Sequence, residues 1–307
     1  MPIQDFNILH VEDDYTDALL IRELIKDSPH QGTFIITHVS SLREALKEMQ
    51  DGKYDAILLD LNLLDISGYD NIMAVRDENP DMPIVVLSGL DSDSAALEAI
   101  DHGAQEYVIK GQCTGRTLRH AICSSIKRKI VERKFYKEAN HDELTGLANR
   151  RFFLDYLSMT LEKANRWKRT ETLMFIDLDK FKAINDTYGH DAGNFALQIA
   201  AERMKDNLRK GDMVCRYGGD EFTILLDNRC DDSRDVATHI AEKLITALNQ
   251  PFEFNGQQIN FSASIGIALY PDHSTDATSL IKTADKAMYT SKKNGGTEYY
   301  FATTAAA

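Results

Sequence analysis

Acidic side chains at the ends of apolar runs are the residues here best suited to chemistry. In Cys215-Arg216-Tyr217-Gly218-Gly219-Asp220-Glu221-Phe222-Thr223-Ile224-Leu225-Leu226, two glycines and two acids interrupt a strand-like pattern. That pattern reads as a hairpin tip bearing carboxylates. Glycine lacks a Cβ, so Gly218 and Gly219 let the backbone turn tightly and approach a bulky ligand. Asp220 and Glu221 could hold a divalent metal. An ordinary two-residue turn carries the same letters, so the rest of the chain has to decide. Another acid follows the apolar run Thr172-Leu173-Met174-Phe175-Ile176, in Asp177-Leu178-Asp179-Lys180-Phe181-Lys182. If that strand pairs with the hairpin, Asp177 and Asp220 face one another and two carboxylates can clamp metal against a triphosphate.

The first half repeats this arrangement. Phe6-Asn7-Ile8-Leu9-His10-Val11 ends in Glu12-Asp13-Asp14, and Tyr54-Asp55-Ala56-Ile57-Leu58-Leu59 ends at Asp60. Ile84-Val85-Val86-Leu87 ends at Ser88, and Glu106-Tyr107-Val108-Ile109 at Lys110. Helical stretches such as Ser41 to Gln50 and Ser94 to His102 separate these runs, which predicts a doubly wound parallel sheet with ligands at its carboxyl edge. Glu12, Asp13 and Asp60 would form an oxygen-rich pocket suited to magnesium, with Ser88 and Lys110 placed to meet an anion. Singly, an acid can cap a helix, a serine can satisfy a loop amide and a lysine can be solvated. Polar groups at four successive strand ends point jointly to a site.

These residues need a frame of two domains, and 307 residues exceed the usual single-domain size. With 48 acids against 35 bases, the net charge of −13 argues against nucleic acid or anionic membrane as the main partner. Cys113, Cys123, Cys215 and Cys230 show neither metal-ligand spacing nor a disulfide framework. Neither a signal pattern nor an apolar run of bilayer length is evident. A soluble protein in a reducing cytoplasm is therefore expected. Between the halves, Thr114 to Asn140 lacks proline and places Leu118, Ile122, Ile126 and Ile130 four apart. This predicts one long helix that first packs on its own sheet, then carries the link and a short seam between two subunits. Arg128, Lys129, Arg133 and Lys134 read as a solvated face, and a boundary falls near residue 140.

Residues 1–125 resemble the receiver domain of bacterial response regulators. The resemblance implies a five-stranded parallel fold in which Asp60 is the phosphoacceptor. Glu12, Asp13, Asp60 and the backbone carbonyl of Asn62 would hold Mg2+. Ser88 and Lys110 would contact the phosphoryl group, and Tyr107 matches the aromatic position that reorients on phosphorylation. Leu64 stands where a proline is common. A sensor histidine kinase is the implied phosphate donor.

Arg216-Tyr217-Gly218-Gly219-Asp220-Glu221-Phe222 resembles the signature of GGDEF domains, the diguanylate cyclases. Further matching motifs are Asp142-Glu143-Leu144-Thr145-Gly146-Leu147-Ala148-Asn149-Arg150, Asp177 to Lys182, Ser264-Ile265-Gly266-Ile267-Ala268 and Ala284-Asp285-Lys286-Ala287-Met288-Tyr289. The likeness implies an α+β palm-like mixed sheet flanked by helices over 141–303, after a helical linker at 126–140 and before a tail at 304–307. It also implies a homodimer in which each subunit presents one GTP, yielding cyclic di-GMP and two pyrophosphates. Asp177, the carbonyl of Leu178 and Asp220 would bind one or two Mg2+ with GTP, and Glu221 would assist at the metal or as base. Lys182 and Lys292, with backbone amides from Asp179 to Phe181, would hold the β- and γ-phosphates. Asn185 would read guanine, and Gly218 and Gly219 leave room for the nucleotide.

Two positions depart from the family pattern. Asn194 replaces a guanine-reading aspartate, and Gly296 stands where an arginine is usual. Asparagine both donates and accepts, so it can still meet guanine but less strongly than a charged acceptor, which relaxes base selectivity. Arg209-Lys210-Gly211-Asp212 matches the family's RxxD inhibitory site for cyclic di-GMP, although an Arg and an Asp three apart are also an ordinary surface pair. The reading is a phosphorylation-regulated diguanylate cyclase. Its rivals are a degenerate GGDEF module that binds nucleotide and signals by contact, and a cyclase of altered base choice.

Overall fold

A computed structural model describes residues 5–26, 33–227 and 233–303; Cys230 and the 304–307 tail lie outside them. The chain divides into two compact units between Phe135 and Tyr136. Among the described residues no helix is long and apolar enough to cross a membrane.

The first unit alternates strand and helix: β1 (Phe6–Val11), α1 (Tyr15–Lys26), β2 (Phe34–Val39), α2 (Leu42–Asp51), β3 (Ala56–Asp60), α3 (Asp70–Glu78), β4 (Ile84–Ser88), α4 (Asp93–Asp101), β5 (Glu106–Ile109) and α5 (Gly115–Asn140). The strands form a parallel sheet in the order β2-β1-β3-β4-β5. Every residue of β3 and β4 is buried, because helices cover both faces of the parallel sheet. Leu9, Val11, Ile57, Leu59, Ile84 and Val86 pack with Leu42, Ile72 and Val75. On the other face, Ile8, Leu58, Val85 and Leu87 pack with Ile21, Ile25, Leu118 and Ile122. Truncating one such side chain, Leu58→Ala for example, costs about 2–5 kcal/mol.

Helix α5 runs 26 residues but is buried only at Leu118, Ala121, Ile122, Ser125 and Ile126. Beyond these, Ile130, Val131 and Phe135 are exposed. The basic run expected to be solvated is instead partly engaged. Arg128 pairs with Glu106 at 2.5 Å, while Lys129 and Arg133 reach Asp81 at 3.5 and 2.9 Å.

The second unit contains β6 (Ala148–Asn149), α6 (Arg150–Trp167), β7 (Glu171–Asp179), α7 (Phe181–Tyr188), α8 (His190–Asp206), β8 (Met213–Gly218), β9 (Glu221–Leu226), α9 (Ser233–Leu248), β10 (Phe252–Phe254), β11 (Gln257–Ile259), β12 (Ser262–Tyr270), α10 (Ala277–Lys293) and β13 (Tyr299–Phe301). Six strands form a mixed sheet in the order β13-β12-β7-β9-β8-β6. Alternation along β7 feeds two cores. Met174, Ile176 and Leu178 face Ala196, Leu197, Ala241 and Leu244, whereas Leu173 and Phe175 face Phe153, Leu157, Leu280 and Ala284. Gly266 in β12 is required by close packing. A Cβ there would lie 2.0 Å from the Ala284 carbonyl oxygen and 2.2 Å from the Met288 nitrogen, so α10 rests directly on the strand.

Candidate functional site

The receiver-like unit gathers its acids at the carboxyl edge of the sheet. Glu12 and Asp60 are buried at the ends of β1 and β3, and Asp13 is half-buried in the following loop. A carboxylate oxygen from each lies within 4.8 Å of the others. Lys110, carried just past β5, reaches Glu12 Oε2 at 2.5 Å, Asp60 Oδ2 at 2.9 Å and Asp17 Oδ2 at 2.9 Å. Burial pushes the Glu12 carboxyl up to about 7 against the pull of Lys110, with Asp60 adding to the rise. Burial works against the Lys110 charge, but its bonds to Glu12, Asp60 and Asp17 prevail and hold the ammonium above its usual value. Such an excess of hard oxygen donors fits a small divalent cation. Asp17 was not singled out by the sequence; only its place in the first turn of α1 hinted at it.

The other receiver residues hold this edge in shape. The Asn62 N–H donates to Asp60 Oδ1 at 3.0 Å, and Asn71 Nδ2 donates to the Asp60 and Leu61 carbonyls at 3.3 and 3.2 Å. Buried Ser88 accepts the Leu90 N–H at 3.1 Å, while the Tyr107 hydroxyl donates to the Leu90 carbonyl at 2.9 Å. Ser88 and Tyr107 thus hold one and the same residue. Leu64, the departure noted above, is 93% exposed, so no packing is lost there.

In the second unit the glycine turn lies where β8 passes into β9. The strand does pair with the hairpin, but Asp177 of β7 lies in register with Glu221 of β9 rather than with Asp220, which sits in the turn; the Leu178 N–H donates to the Asp220 carbonyl at 3.2 Å. The turn is therefore stitched to the strand that carries Asp177. Gly219 adopts φ +56°, a left-handed conformation that costs glycine little. Arg216 braces the turn by donating Nε and Nη2 to the Gly219 carbonyl at 3.0 and 2.9 Å. Its Nη1 meets both oxygens of Asp142, which also accepts from the Thr145 amide and hydroxyl. Asn149 and Arg151 both donate to the Ala139 carbonyl at the end of α5. The sequence flagged Asp142, Asn149 and Arg216 as motif letters without revealing these bracing roles.

Burial raises the Asp177 carboxyl to about 6, opposed by Lys292 and reinforced by Asp220 and Glu221. Lys292 Nζ stands 2.5 Å from Asp177 Oδ1, an ion pair that opposes the effect of burial. A buried carboxylate with two further acids, Asp220 and Glu221, in its electrostatic surroundings is a fitting ligand for a divalent metal. Glu221 is also raised, by burial first and then by Asp285 and Asp220, against Lys292 and Arg150. Arg150, which sits over the Tyr217 ring at 4.6 Å, and Asp285 were not foreseen as site residues. Asp177, Asp220 and Glu221 do not converge as tightly as the receiver acids, which alone among the described residues meet within 4.8 Å.

The remaining residues sit around this centre. The Lys180 backbone is left-handed and opens α7 with no side-chain cap, leaving the helix start at Phe181 and Lys182 suited to an anion. Asp179 is committed inward, accepting from Ser262, Ser264 and the Thr297 N–H. That accounts for Gly296, where a Cβ would lie 2.8 Å from an Asp179 oxygen at φ +73°. Asn185 is half-buried and packs so closely that a Cβ on Gly193 would lie 1.9 Å from its Oδ1; Asn194 and Lys182 are exposed. Asp212 accepts from the Arg209 and Asp227 N–H groups at 2.8 and 3.0 Å, so its carboxylate shapes its own loop.

This combination of folds and motifs has known counterparts. Residues 139–298 match the family model described as diguanylate cyclase, GGDEF domain, and residues 8–122 match the response regulator receiver domain. The chain belongs to the GGDEF family and joins that domain to a receiver. It is 42% identical over 180 residues to the bifunctional diguanylate cyclase/cyclic di-GMP phosphodiesterase MucR of Pseudomonas aeruginosa, covering 59% of this chain and 26% of MucR. It is 42% identical over 157 residues to the diguanylate cyclase TpbB of Pseudomonas aeruginosa, covering 51% of this chain and 36% of TpbB. A solved structure of the TpbB GGDEF domain aligns with TM-score 0.52 at 40% identity, covering 53% of this chain and 95% of that one. The chain thus spans about a third or less of the length of these curated relatives.

Proposed function

We propose that the protein is a diguanylate cyclase whose activity is set by phosphorylation of Asp60, condensing two GTP into cyclic di-GMP and two pyrophosphates across a homodimer. The observation that carries this reading is the braced glycine turn stitched beside Asp177, with Lys292 on the buried carboxylate. Asp177, Asp220 and the Leu178 carbonyl would hold Mg2+, which supplies charge neutralisation on the phosphates and acidifies a ribose hydroxyl. Lys182, Lys292 and the start of α7 at Phe181 bind and orient the β- and γ-phosphates. Asn185 and Asn194 orient the guanine, and Gly218 and Gly219 leave the nucleotide room. Glu221, whose carboxyl burial favours in the protonated form, is suited to exchange a proton near the ribose hydroxyl. Arg209 and Asp212 would bind cyclic di-GMP as an inhibitory product.

In the receiver, Glu12, Asp13, Asp60 and the Asn62 carbonyl would hold a second Mg2+ while a sensor histidine kinase supplies the phosphoryl group. Ser88 and Lys110 would then turn toward the new anion. Because Ser88 and Tyr107 share Leu90, a hydroxyl drawn from Leu90 loosens the Tyr107 tether. The resulting shift need supply only a few kcal/mol to redistribute a pre-existing equilibrium of subunit arrangements. Purified protein incubated with Mg2+, GTP and ATP, with and without beryllofluoride, tests the proposal. Cyclic di-GMP, increased by beryllofluoride, is expected. A mixed guanine and adenine product would instead favour relaxed base choice, and nucleotide binding without product a contact-signalling module.

A further inference from the structure

Asn71 is fully buried on the face of α3 that also carries Ile72 and Val75, a position that an apolar side chain ordinarily fills. Its Nδ2 donates to the Asp60 and Leu61 carbonyls at 3.3 and 3.2 Å, and its Oδ1 is buried with no hydrogen-bond partner among the described residues. An amide buried with one end unpaired carries a desolvation penalty. Packing α3 against its neighbours does not require that penalty. Both bonds run instead to the stretch of chain that leaves β3.

That stretch closes on itself. The Leu61 carbonyl also accepts the Gly68 N–H at 2.7 Å, Asn62 bridges Ser67 in antiparallel sense, and Gly68 turns the chain at φ +79°. Leu64 is exposed and lacks the fixed φ of a proline, which leaves the stiffness of the loop to hydrogen bonds. The two carbonyls that Asn71 holds belong to the rigid peptide planes on either side of Leu61. The second plane carries the Asn62 N–H at its other end, and that N–H donates to Asp60 Oδ1 at 3.0 Å. One peptide group therefore links the buried amide to the Asp60 carboxylate. It also sets the course of the chain into Asn62, whose carbonyl is a proposed ligand.

We infer that Asn71 is a positioning residue of the receiver pocket, aiming the Asp60 carboxylate through the 61–62 peptide so that Mg2+ and a phosphoryl group meet a preset arrangement of oxygens. The inference rests on the reading of Asp60 as phosphoacceptor. It adds a residue that touches neither the metal nor the phosphoryl group and acts from the buried side of the loop.

Fluorine NMR of the full chain with beryllofluoride, in the absence of nucleotide, reads fluoroberyllate bound at Asp60 as Mg2+ is added, with Asp60→Asn as the blank. Asn71→Leu keeps the branching of the side chain but loses the donor. It is expected to raise the Mg2+ concentration at half-maximal binding about tenfold, the usual scale for a group that orients a metal ligand, while its Tm in EDTA holds or rises because the unpaired oxygen is gone. Asn71→Ala loses the same donor and leaves a cavity, so its Tm should fall while its Mg2+ midpoint shifts as in Asn71→Leu. The midpoint thus follows the amide and not the stability. Wild-type midpoints in both variants, or a shift in Asn71→Ala alone, overturn the inference and leave the phosphoacceptor reading standing. Absence of bound fluoroberyllate in the wild type at any Mg2+ concentration overturns both.

Discussion

The two units solve the same problem, carboxylates at strand ends, to different degrees of completion. In the receiver, Glu12, Asp13 and Asp60 lie within 4.8 Å and one lysine bridges Glu12, Asp17 and Asp60. In the GGDEF unit only Asp177 is deeply buried, Asp220 and Glu221 are half-exposed, and Lys182 and Asn194 face outward. The first pocket is built entirely by its own fold. The second is an open surface, as expected if a second GTP-bearing copy completes it.

The contrast can be broken most directly in the open site. Asp220→Ala, or Asp177→Asn, is expected to lower dinucleotide formation on the order of a thousandfold or more, while fluorescence titration with beryllofluoride still reports a responsive receiver. Asp60→Asn should do the converse, retaining basal turnover but losing its stimulation, read as product formed with and without beryllofluoride. Arg216→Ala removes the brace between Asp142 and the Gly219 carbonyl and should cut turnover about tenfold, with a measurable fall in Tm. Gly193→Ala forces Asn185 aside and should raise the KM for GTP severalfold with a smaller change in kcat.

The smallest effect sharpens the contrast from the receiver side. His10 is buried beside this pocket, its Nε2 without a partner among the described residues. Burial, then His38 and Lys110, push it from 6.5 down to about 3. A neutral folded histidine that charges when unfolded stabilises fully above about pH 6.5, and that stabilisation is lost as pH falls toward 3. His10→Leu should therefore flatten the fall of the receiver's Tm between about pH 6.5 and 4, measured by calorimetry.

The sequence carried the fold because its signals are local. Runs such as Ile84 to Leu87 sit between helical periods, and Gly218-Gly219 marks a turn wherever it occurs. Asp60 and Asp177 were legible because strand ends deliver side chains to one edge. What stayed hidden depends on long-range approach. Lys110 meets Asp17 across 93 positions, and Arg216 meets Asp142 across 74. Arg150 is an exposed residue whose role appears only once Tyr217 lies beneath it. Gly296 reads in the sequence as a lost arginine, whereas in the fold Asp179 occupies the space a side chain needs.

Coupling of the closed pocket to the open one is tested by initial rates of cyclic di-GMP formation from GTP and Mg2+ across a range of protein concentrations, with and without beryllofluoride. Product in both cases is expected, with a rate per chain that rises with concentration and a shift of that rise to lower concentration by beryllofluoride. Rates per chain independent of both, or no dinucleotide under any condition, would contradict it.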